Sequence, residues 1–359
     1  MFSPLQGARL RGWLRVLRDN HFRVHPAYWG RAALTTISNA INTALARREQ
    51  RKFGARLRGI RAERPLFVLG HYRSGTTHLH LLLCCDPDVG YPNYYQTCFP
   101  STFLTTEPSS SSLLRHVTPR KRPQDDVDVR LDLPSEDELA LCADTFLSPH
   151  MSWHFPARAE EYDDYLTFES ASKTECRRWK RSLDAFSRKL TLKYGRRLVF
   201  KSPCHTARVK MLLELFPDAR FVHIHRHPYD VFRSTRHMER KVRPLLQYQM
   251  PASDGLDERI LRRYETMYEA FFRSRELIPP GRLTEVSYAD LMADPLATAR
   301  GIYEALGLSG FASARPAMER YLDSVAGFRK SELPPLDRGA KKKVSQCWAR
   351  SFETWGYTG

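Results

Sequence analysis

The chain has 359 residues, of which 42% are hydrophobic and 11% aromatic, and this apolar content excludes a disordered chain. Its formal charge is +17, from 57 Lys and Arg against 40 Asp and Glu, which favours anionic partners such as nucleotides, nucleic acids or acidic lipids. No apolar run approaches the length of about 18 residues that predicts a transmembrane helix. The seven cysteines contain no CxxC pair and the N-terminus lacks a signal-peptide core, so we expect reduced thiols and a cytoplasmic protein.

The N-terminal part of the chain is strongly basic. Residues 1–55 hold ten Lys and Arg against Asp19 and Glu49, a net charge of +8. One apolar stripe recurs at helical spacing, formed by Leu34, Ile37, Ile41 and Leu45. We expect this helix to pack on the core through its stripe, with a position on an anionic membrane surface as the alternative. We therefore predict residues 1–60 as a basic helical extension and residues 61–359 as a single domain.

Beyond this extension, short apolar runs alternate with helical patterns. The predicted strands are residues 65–70, 197–201, 220–225 and 283–287. Helices are expected to begin near Gly75, after Ser202-Pro203, at Pro228 and at Asp294-Pro295, because these residues cap or open helices. Strand and helix in alternation predict an α/β fold of three layers, with a central parallel sheet flanked by helices.

A stretch between Phe99 and Pro134 is rich in serine, proline and charge. We expect it to be irregular. Long irregular segments inside a domain are uncommon and often functional, so this one either covers the acceptor or is a surface insertion without a role.

The segment Gly70–Thr77, GHYRSGTT, follows the first predicted strand and opens a helix. Such a turn directs backbone N–H groups at one point, at the positive end of a helix dipole, which suits a phosphate. The spacing is that of the Walker A motif, except that Thr76 stands where its lysine should be and the cation is Arg73. The missing lysine disfavours a P-loop kinase or NTPase, which remains the alternative.

With RSGTT after an apolar strand, the chain resembles the sulfotransferases, whose P-loop-like turn binds the 5′-phosphosulfate of 3′-phosphoadenosine-5′-phosphosulfate (PAPS). The resemblance runs from about Ala27 to Tyr357 and includes TARVKMLLELFPDARFVH and SYADLMADP. It implies a P-loop-like α/β domain that takes PAPS as co-substrate and needs no metal. It also implies that the phosphosulfate is bound by Arg73, Ser74, Gly75, Thr76 and Thr77.

A second contact with the nucleotide is implied by the same resemblance. Arg226 ends the third predicted strand, where open α/β sheets place their ligands, and Ser234 follows eight residues later. In sulfotransferases an Arg and a Ser at this spacing bind the 3′-phosphate of PAPS, and a guanidinium can donate two parallel hydrogen bonds to it. A late glycine-rich motif that also touches this phosphate is missing. Its possible substitutes are Arg329, Lys330 and Lys341 to Lys343.

Three alternating histidines, at positions 223, 225 and 227, share one face of that strand. No carboxylate or cysteine completes a metal-ligand set in the neighbouring sequence. We therefore expect packing and hydrogen-bonding roles rather than a zinc site.

Sulfuryl transfer requires a base for the acceptor proton, an in-line arrangement and neutralisation of the leaving phosphate. Lys201, at the end of a strand, matches the lysine that lies beside the bridging oxygen in related sulfotransferases. His205 is the first candidate for the base, because histidine titrates in the useful range, and Glu136 is the second. Glu136 also fits a helix-capping role. The uncertain base leaves open a homologue that binds PAPS but is catalytically degenerate.

The predicted reaction is transfer of a sulfuryl group from PAPS to a hydroxyl or amine of a small molecule, lipid or carbohydrate. The charge alone would also suit a nucleic-acid-binding protein, but no recognised binding module is present, so no nucleic-acid partner is expected. Peripheral contact with an anionic membrane remains open for the basic N-terminus.

Overall fold

The computed structural model describes residues 3–115, 130–250, 255–327 and 333–358. The chain forms two compact units, and each unit is built from segments that are separated in the sequence. The first unit comprises Met1–Ala62, Pro92–Gly195 and Arg240–Asp254. The second unit comprises Glu63–Tyr91, Arg196–Glu239 and Gly255–Gly359. The division at residue 60 into an extension and a single domain stays a prediction.

The second unit contains a parallel β-sheet. Its strands are β1 (Leu66–Leu69), β2 (Val89–Gly90), β3 (Arg197–Lys201), β4 (Arg220–His225) and β5 (Leu283–Ser287). Across the sheet they lie in the order β2-β3-β1-β4-β5. The sheet confirms the predicted α/β class, and β3, β4 and β5 have the predicted bounds. The sequence missed β2, because two residues are too short for a strand pattern.

Helices account for most of the remaining described residues. In chain order they are α1 (Leu10–Asp19), α2 (Trp29–Leu57), α3 (Thr76–Leu83), α4 (Tyr94–Cys98), α5 (Phe103–Arg115), α6 (Asp137–Thr145), α7 (Met151–His154), α8 (Ala159–Asp163), α9 (Lys173–Tyr194), α10 (Val209–Leu215), α11 (Pro228–Leu246), α12 (Leu256–Ser274), α13 (Tyr288–Ala293), α14 (Pro295–Ala305), α15 (Phe311–Val325), α16 (Arg338–Cys347) and α17 (Ala349–Trp355). Among the described residues, none of these helices has the length and apolar character needed to cross a bilayer.

Alternate residues of β1 build the core on the two faces of the sheet. Leu66 and Val68 pack with apolar side chains of α3, α14 and α15 on one face. Phe67 points to the other face, where its ring stacks on Phe200 and Phe221 with centroids 5.3 and 5.7 Å apart. These two rings belong to its register partners in β3 and β4. Stacked aromatic pairs of this kind contribute about 1 kcal/mol each beyond their buried area.

Two predicted helix starts have the expected caps. The Asp294 carboxylate accepts a hydrogen bond of 2.9 Å from the backbone N–H of Ala297. The Ser202 hydroxyl accepts one of 3.1 Å from the N–H of Cys204. After Ser202 the chain first forms a 3-10 helix, Pro203–Arg208, before α10 begins.

The serine- and proline-rich stretch is not irregular throughout. Its first part forms α5, which contradicts the expectation from composition. Residues 116–129 of the stretch lie outside the described residues.

Helix α2 packs through a face that the sequence did not predict. Its buried residues include Thr35, Asn42 and Glu49, while Leu34 and the rest of the apolar stripe except the half-buried Leu45 are exposed. The Thr35 hydroxyl is 2.8 Å from the Tyr248 hydroxyl, Asn42 donates to a backbone carbonyl, and Glu49 forms an ion pair with a lysine of α9. The expectation that the stripe packs on the core is therefore wrong, because α2 packs through a different and mostly polar side.

Candidate functional site

The turn between β1 and α3 depends on two glycines with positive φ. Gly70 has φ +142° and Gly75, the N-cap of α3, has φ +100°. A Cβ on Gly70 would lie 2.5 Å from the Ile224 carbonyl oxygen, and one on Gly75 would lie 2.4 Å from the ring of Tyr288. Side chains are thus excluded at both ends of the turn, which lets neighbouring groups approach its backbone.

Hydrogen bonds fix the shape of this turn. The N–H of Gly70 donates to the Thr206 hydroxyl at 2.8 Å, and the buried Ser74 hydroxyl donates to the His71 carbonyl at 2.7 Å. Thr76, also buried, opens α3, and the half-buried Thr77 follows it. The first N–H groups of a helix have no partner within the helix and carry its positive dipole end. The turn is therefore suited to hold an anion.

Arg73 joins the turn to α11. Its φ of +67° lies in the left-handed region that non-glycine residues rarely occupy, and such backbone conformations cluster at functional sites. The Arg73 Nε donates a hydrogen bond of 2.9 Å to the hydroxyl of Ser234. Two predicted nucleotide contacts, 161 positions apart in the chain, are thus in direct contact.

Arg226, which follows β4, completes this cluster. Its Nη1 donates to the Arg73 carbonyl at 3.1 Å, its Nη2 contacts the Asp230 carboxylate at 3.1 Å, and the guanidinium lies 4.4 Å from the ring centroid of Tyr288. The side chain is 6% exposed, and Nε has no hydrogen-bond partner among the described residues. A buried donor without an acceptor costs about 1–3 kcal/mol. A phosphate oxygen would satisfy it, so the donor set of this cluster fits a phosphate.

Lys201 lies at the carboxyl end of β3, in register with Val68 of β1. Parallel pairing brings the ends of β1, β3 and β4 to one edge of the sheet, which is also where the turn and Arg226 begin. The Lys201 side chain is buried. On α3, burial and then the positive charge of Lys201 lower the pKa of His80 to about 3.

The two candidate bases lie in different surroundings. His205, in the 3-10 helix after Ser202, is fully buried, and its ring meets the ring of Phe67 edge-on at 5.4 Å. Glu136 belongs to the first unit, where it is the half-buried N-cap residue of α6, followed by two fully buried acids. His205 therefore packs in the aromatic core of the second unit. Both residues stay predictions for the role of the catalytic base.

The histidines of β4 make packing and polar contacts. His223 Nδ1 lies 2.9 Å from the Glu285 carboxylate, and His225 Nδ1 lies 2.8 Å from the Tyr357 hydroxyl. Both rings stack on Trp355. Burial, and then the proximity of His223, lowers the pKa of His225 to about 4. The neighbouring strand β5 supplies one carboxylate, Glu285, to this cluster, and the described residues contain no group of three or more potential metal ligands.

Several contacts of the site escaped the sequence. Thr206 and Tyr288 lie in two segments that carry the family resemblance, but nothing in the local sequence indicated that they contact the turn. Asp230 could have been found, because it follows Arg226 by four residues on a helix, a spacing at which opposite charges pair. Of the predicted substitutes for the missing motif, Lys343 pairs with Glu258 at 3.0 Å. Arg329 and Lys330 lie outside the described residues.

Comparison with known proteins bears on the same region. The model of a family described as the Sulfotransferase family matches residues 65–313. Omega-hydroxy-beta-dihydromenaquinone-9 sulfotransferase Stf3 of Mycobacterium tuberculosis (strain CDC 1551 / Oshkosh) is 33% identical over 352 residues, which cover 98% of this chain and 90% of the relative. The protein of the same name from Mycobacterium bovis matches to the same extent.

Solved structures show the same fold. Sulfotransferase STF9 from Mycobacterium avium has a TM-score of 0.78 at 22% identity, covering 96% of this chain and 91% of its own. Sulfotransferase STF1 from Mycobacterium tuberculosis H37Rv has a TM-score of 0.71 at 21% identity, covering 95% and 92%. The family match and the extent of the mycobacterial relatives confirm the resemblance seen in RSGTT. The chain belongs to the sulfotransferase family and is a transferase that moves a sulfuryl group to an acceptor.

Proposed function

We propose that the donor is PAPS and that its two ends are bound by the turn after β1 and by the cluster of Arg73, Ser234 and Arg226. The contact of Arg73 with Ser234 is the observation that carries the proposal, because it joins the predicted phosphosulfate loop to the predicted 3′-phosphate residues. The N–H groups of residues 75–77 are proposed to bind the phosphosulfate and Arg226 to bind the 3′-phosphate. A guanidinium suits this role since it donates two parallel hydrogen bonds.

Lys201 is proposed to neutralise the leaving phosphate. The acceptor oxygen forms a bond to sulfur while the bond from sulfur to the bridging oxygen breaks, so negative charge grows on the phosphate. An ammonium group at the strand edge where the turn begins can stabilise that charge as it develops. Burial strengthens the interaction, because the local dielectric constant is low.

The acceptor's proton must go to a base as the new bond forms. His205, fully buried against the ring of Phe67, and Glu136, half-buried in the first unit, both stay candidates for this base.

The proposed acceptor is a hydroxyl on an apolar lipid-like molecule. Support comes from the mycobacterial relatives, whose name specifies an ω-hydroxylated dihydromenaquinone and whose similarity extends over nearly this whole chain. This class also agrees with the lipid option left open by the sequence.

Calorimetric titration with adenosine 3′,5′-bisphosphate, with ADP as the competitor nucleotide, tests the proposed donor. The protein is expected to bind the bisphosphate and to discriminate against ADP. Arg226→Ala should weaken bisphosphate binding at least about tenfold, the scale of a charged hydrogen bond, whereas Arg300→Ala removes an exposed guanidinium elsewhere in the second unit and should change nothing. A preference for ADP, or full binding by Arg226→Ala, would contradict the proposed donor.

Transfer from radiolabelled PAPS to an ω-hydroxylated dihydromenaquinone, with the non-hydroxylated compound as control, tests the acceptor in the same preparation. Bisphosphate binding without any transfer to this compound would reject the acceptor class and leave the donor proposal standing.

A further inference from the structure

We propose that the first unit docks on the surface of an anionic phospholipid bilayer through one exposed side of α2. This docking face consists of an apolar half, formed by Leu34, Ile37 and Ile41 with Trp29 at the first position of the helix, and a basic half, formed by Arg48 and Lys52. The proposal rests on exposure and charge in the first unit and does not depend on the donor or the acceptor proposed above.

The apolar half is concentrated and open. Trp29, Leu34, Ile37 and Ile41 are 63%, 54%, 59% and 57% exposed. Ten large apolar side chains in the described part of the chain are at least 42% exposed, and five of them lie between residues 22 and 41. Single exposed apolar residues are ordinary, whereas a contiguous group marks an interaction surface.

The group is contiguous because of helical spacing. Leu34, Ile37 and Ile41 follow one another at three and four residues and so lie along one side of α2. Phe22, another of the five, precedes the helix in a turn where its φ is +54°. That strained conformation holds an aromatic ring in solvent at the same end of the helix.

Trp29 is able to enter an apolar phase without leaving a polar atom unpaired. Its indole N–H already donates to the Val24 carbonyl at 3.1 Å, although its ring is exposed. Burial of a donor without a partner would cost free energy, and here that cost does not arise. Tryptophan is also enriched at the level of the lipid headgroups.

The basic half continues the same side of the helix. Arg48 and Lys52 follow Ile41 at seven and eleven residues, and both are exposed. Neither acid of residues 1–55 neutralises them: Glu49 is buried in an ion pair with Lys189, and Asp19 pairs with Arg18. Basic residues near an anionic membrane are each attracted by about 1 kcal/mol. The docking face is thus apolar at one end and cationic at the other. The apolar end would insert into the bilayer, and the cationic end would bind phosphate headgroups.

Charge argues against a second copy of the chain as the occupant. A parallel pairing of two docking faces would bring Arg48 and Lys52 against the same residues of the other chain. An antiparallel pairing would bring them against the apolar half of the other chain's face, which holds no acidic side chain. Both arrangements remove these cations from water without an opposite charge, which disfavours association. An anionic bilayer has the complementary charge.

Co-sedimentation with vesicles tests the proposal. The full chain is expected to sediment with equimolar phosphatidylcholine and phosphatidylglycerol, more weakly with phosphatidylcholine alone, and less in raised salt. Leu34→Ser/Ile37→Ser/Ile41→Ser should weaken binding to the mixed vesicles at least about tenfold through lost apolar area. Arg48→Glu/Lys52→Glu should weaken it by a similar factor through charge, and should leave the weaker binding to phosphatidylcholine unchanged.

Matched controls separate the face from general surface properties. Leu277→Ser/Met292→Ser removes two comparably exposed apolar side chains from the second unit. Arg177→Glu/Arg181→Glu reverses two exposed cations of α9 at the same spacing of four. Both controls should bind vesicles like the unchanged protein. Thermal unfolding of every variant shows that the fold is retained, and sedimentation velocity without vesicles measures self-association.

The vesicle-binding results either support or overturn the proposed docking. Loss of vesicle binding in both docking-face variants but in neither control supports the proposal. It is overturned if the unchanged protein ignores the mixed vesicles, if the docking-face variants bind them undiminished, or if the face mediates a dimer in place of vesicle binding.

Discussion

Arg73 shows how one residue can serve two requirements of the site. Its positive φ lets the backbone turn sharply between strand and helix, and its side chain reaches Ser234 on another helix. The carbonyl of the same residue accepts a hydrogen bond from Arg226. Because main chain and side chain are both engaged, the two cationic side chains are held in fixed positions rather than being free in solvent. Such preorganisation reduces the ordering that ligand binding would otherwise require.

The roles proposed for Lys201, Glu136 and His205 can be separated in the transfer assay. Lys201→Ala is expected to lower kcat about 100-fold or more while nucleotide affinity changes little, because its charge acts on the leaving phosphate. Glu136→Gln should lower kcat and abolish the acidic limb of the pH–rate profile. His205→Asn should chiefly lower the free energy of unfolding, since the imidazole packs on Phe67. A kcat loss in His205→Asn without destabilisation would instead identify the histidine as the base.

The sequence predicted almost the whole strand–turn–helix element formed by β1, Gly70–Gly75 and α3. An apolar run predicted the strand, and two glycines with hydroxyl residues after them predicted the turn. Gly75 occupies its position for two reasons, a left-handed backbone and a tight approach of Tyr288. Only the first reason is a local property of the chain.

Gly75→Ala tests this element. The new methyl group would meet the Tyr288 ring at 2.4 Å in a backbone conformation unfavourable to alanine, so we expect the free energy of unfolding to fall by about 1–3 kcal/mol. Titration with the bisphosphate should show weaker binding as well, because the ring also lies under Arg226. Gly301→Ala, in α14 with no neighbouring atom within 4 Å, should be neutral or slightly stabilising. Equal stabilities of the two variants would contradict the role given to the turn.

At the scale of the whole molecule, burial of histidines makes stability depend on pH. Burial is the main cause that lowers the pKa of His71, His80 and His154 to about 3 from an ordinary value of 6.5. Above pH 6.5 these groups are neutral in both the folded and the unfolded chain. Between 6.5 and 3 the unfolded chain binds protons that the folded chain rejects, so stability falls as the pH falls.

Each of the three histidines is expected to remove up to about 1.4 kcal/mol of unfolding free energy per pH unit in that window. Glu285 also lowers the stability of the folded chain as the pH falls, but at lower pH than the histidines. Burial raises the pKa of the Glu285 carboxyl, but hydrogen bonds from His223 and Trp355 and the positive charge of Arg275 lower it further, to about 2. Urea unfolding at about pH 7 and about pH 5 measures the effect, and His154→Gln should reduce its slope. Equal unfolding free energies at the two pH values would refute it.

The sequence by itself determined the family, the α/β class, four of the five strands and the turn, because these depend on local periodicity, on glycines and on charge at fixed spacing. It also indicated Arg73, Ser234 and Arg226 individually as candidate site residues. Only the tertiary structure brought them together, since their contact depends on the pairing of strands that are distant in the chain. The tertiary structure likewise decided that His205 is a core residue and that α2 buries polar groups while its apolar stripe faces outward. Periodicity shows that a helix has two sides, but the neighbouring elements decide which side is covered.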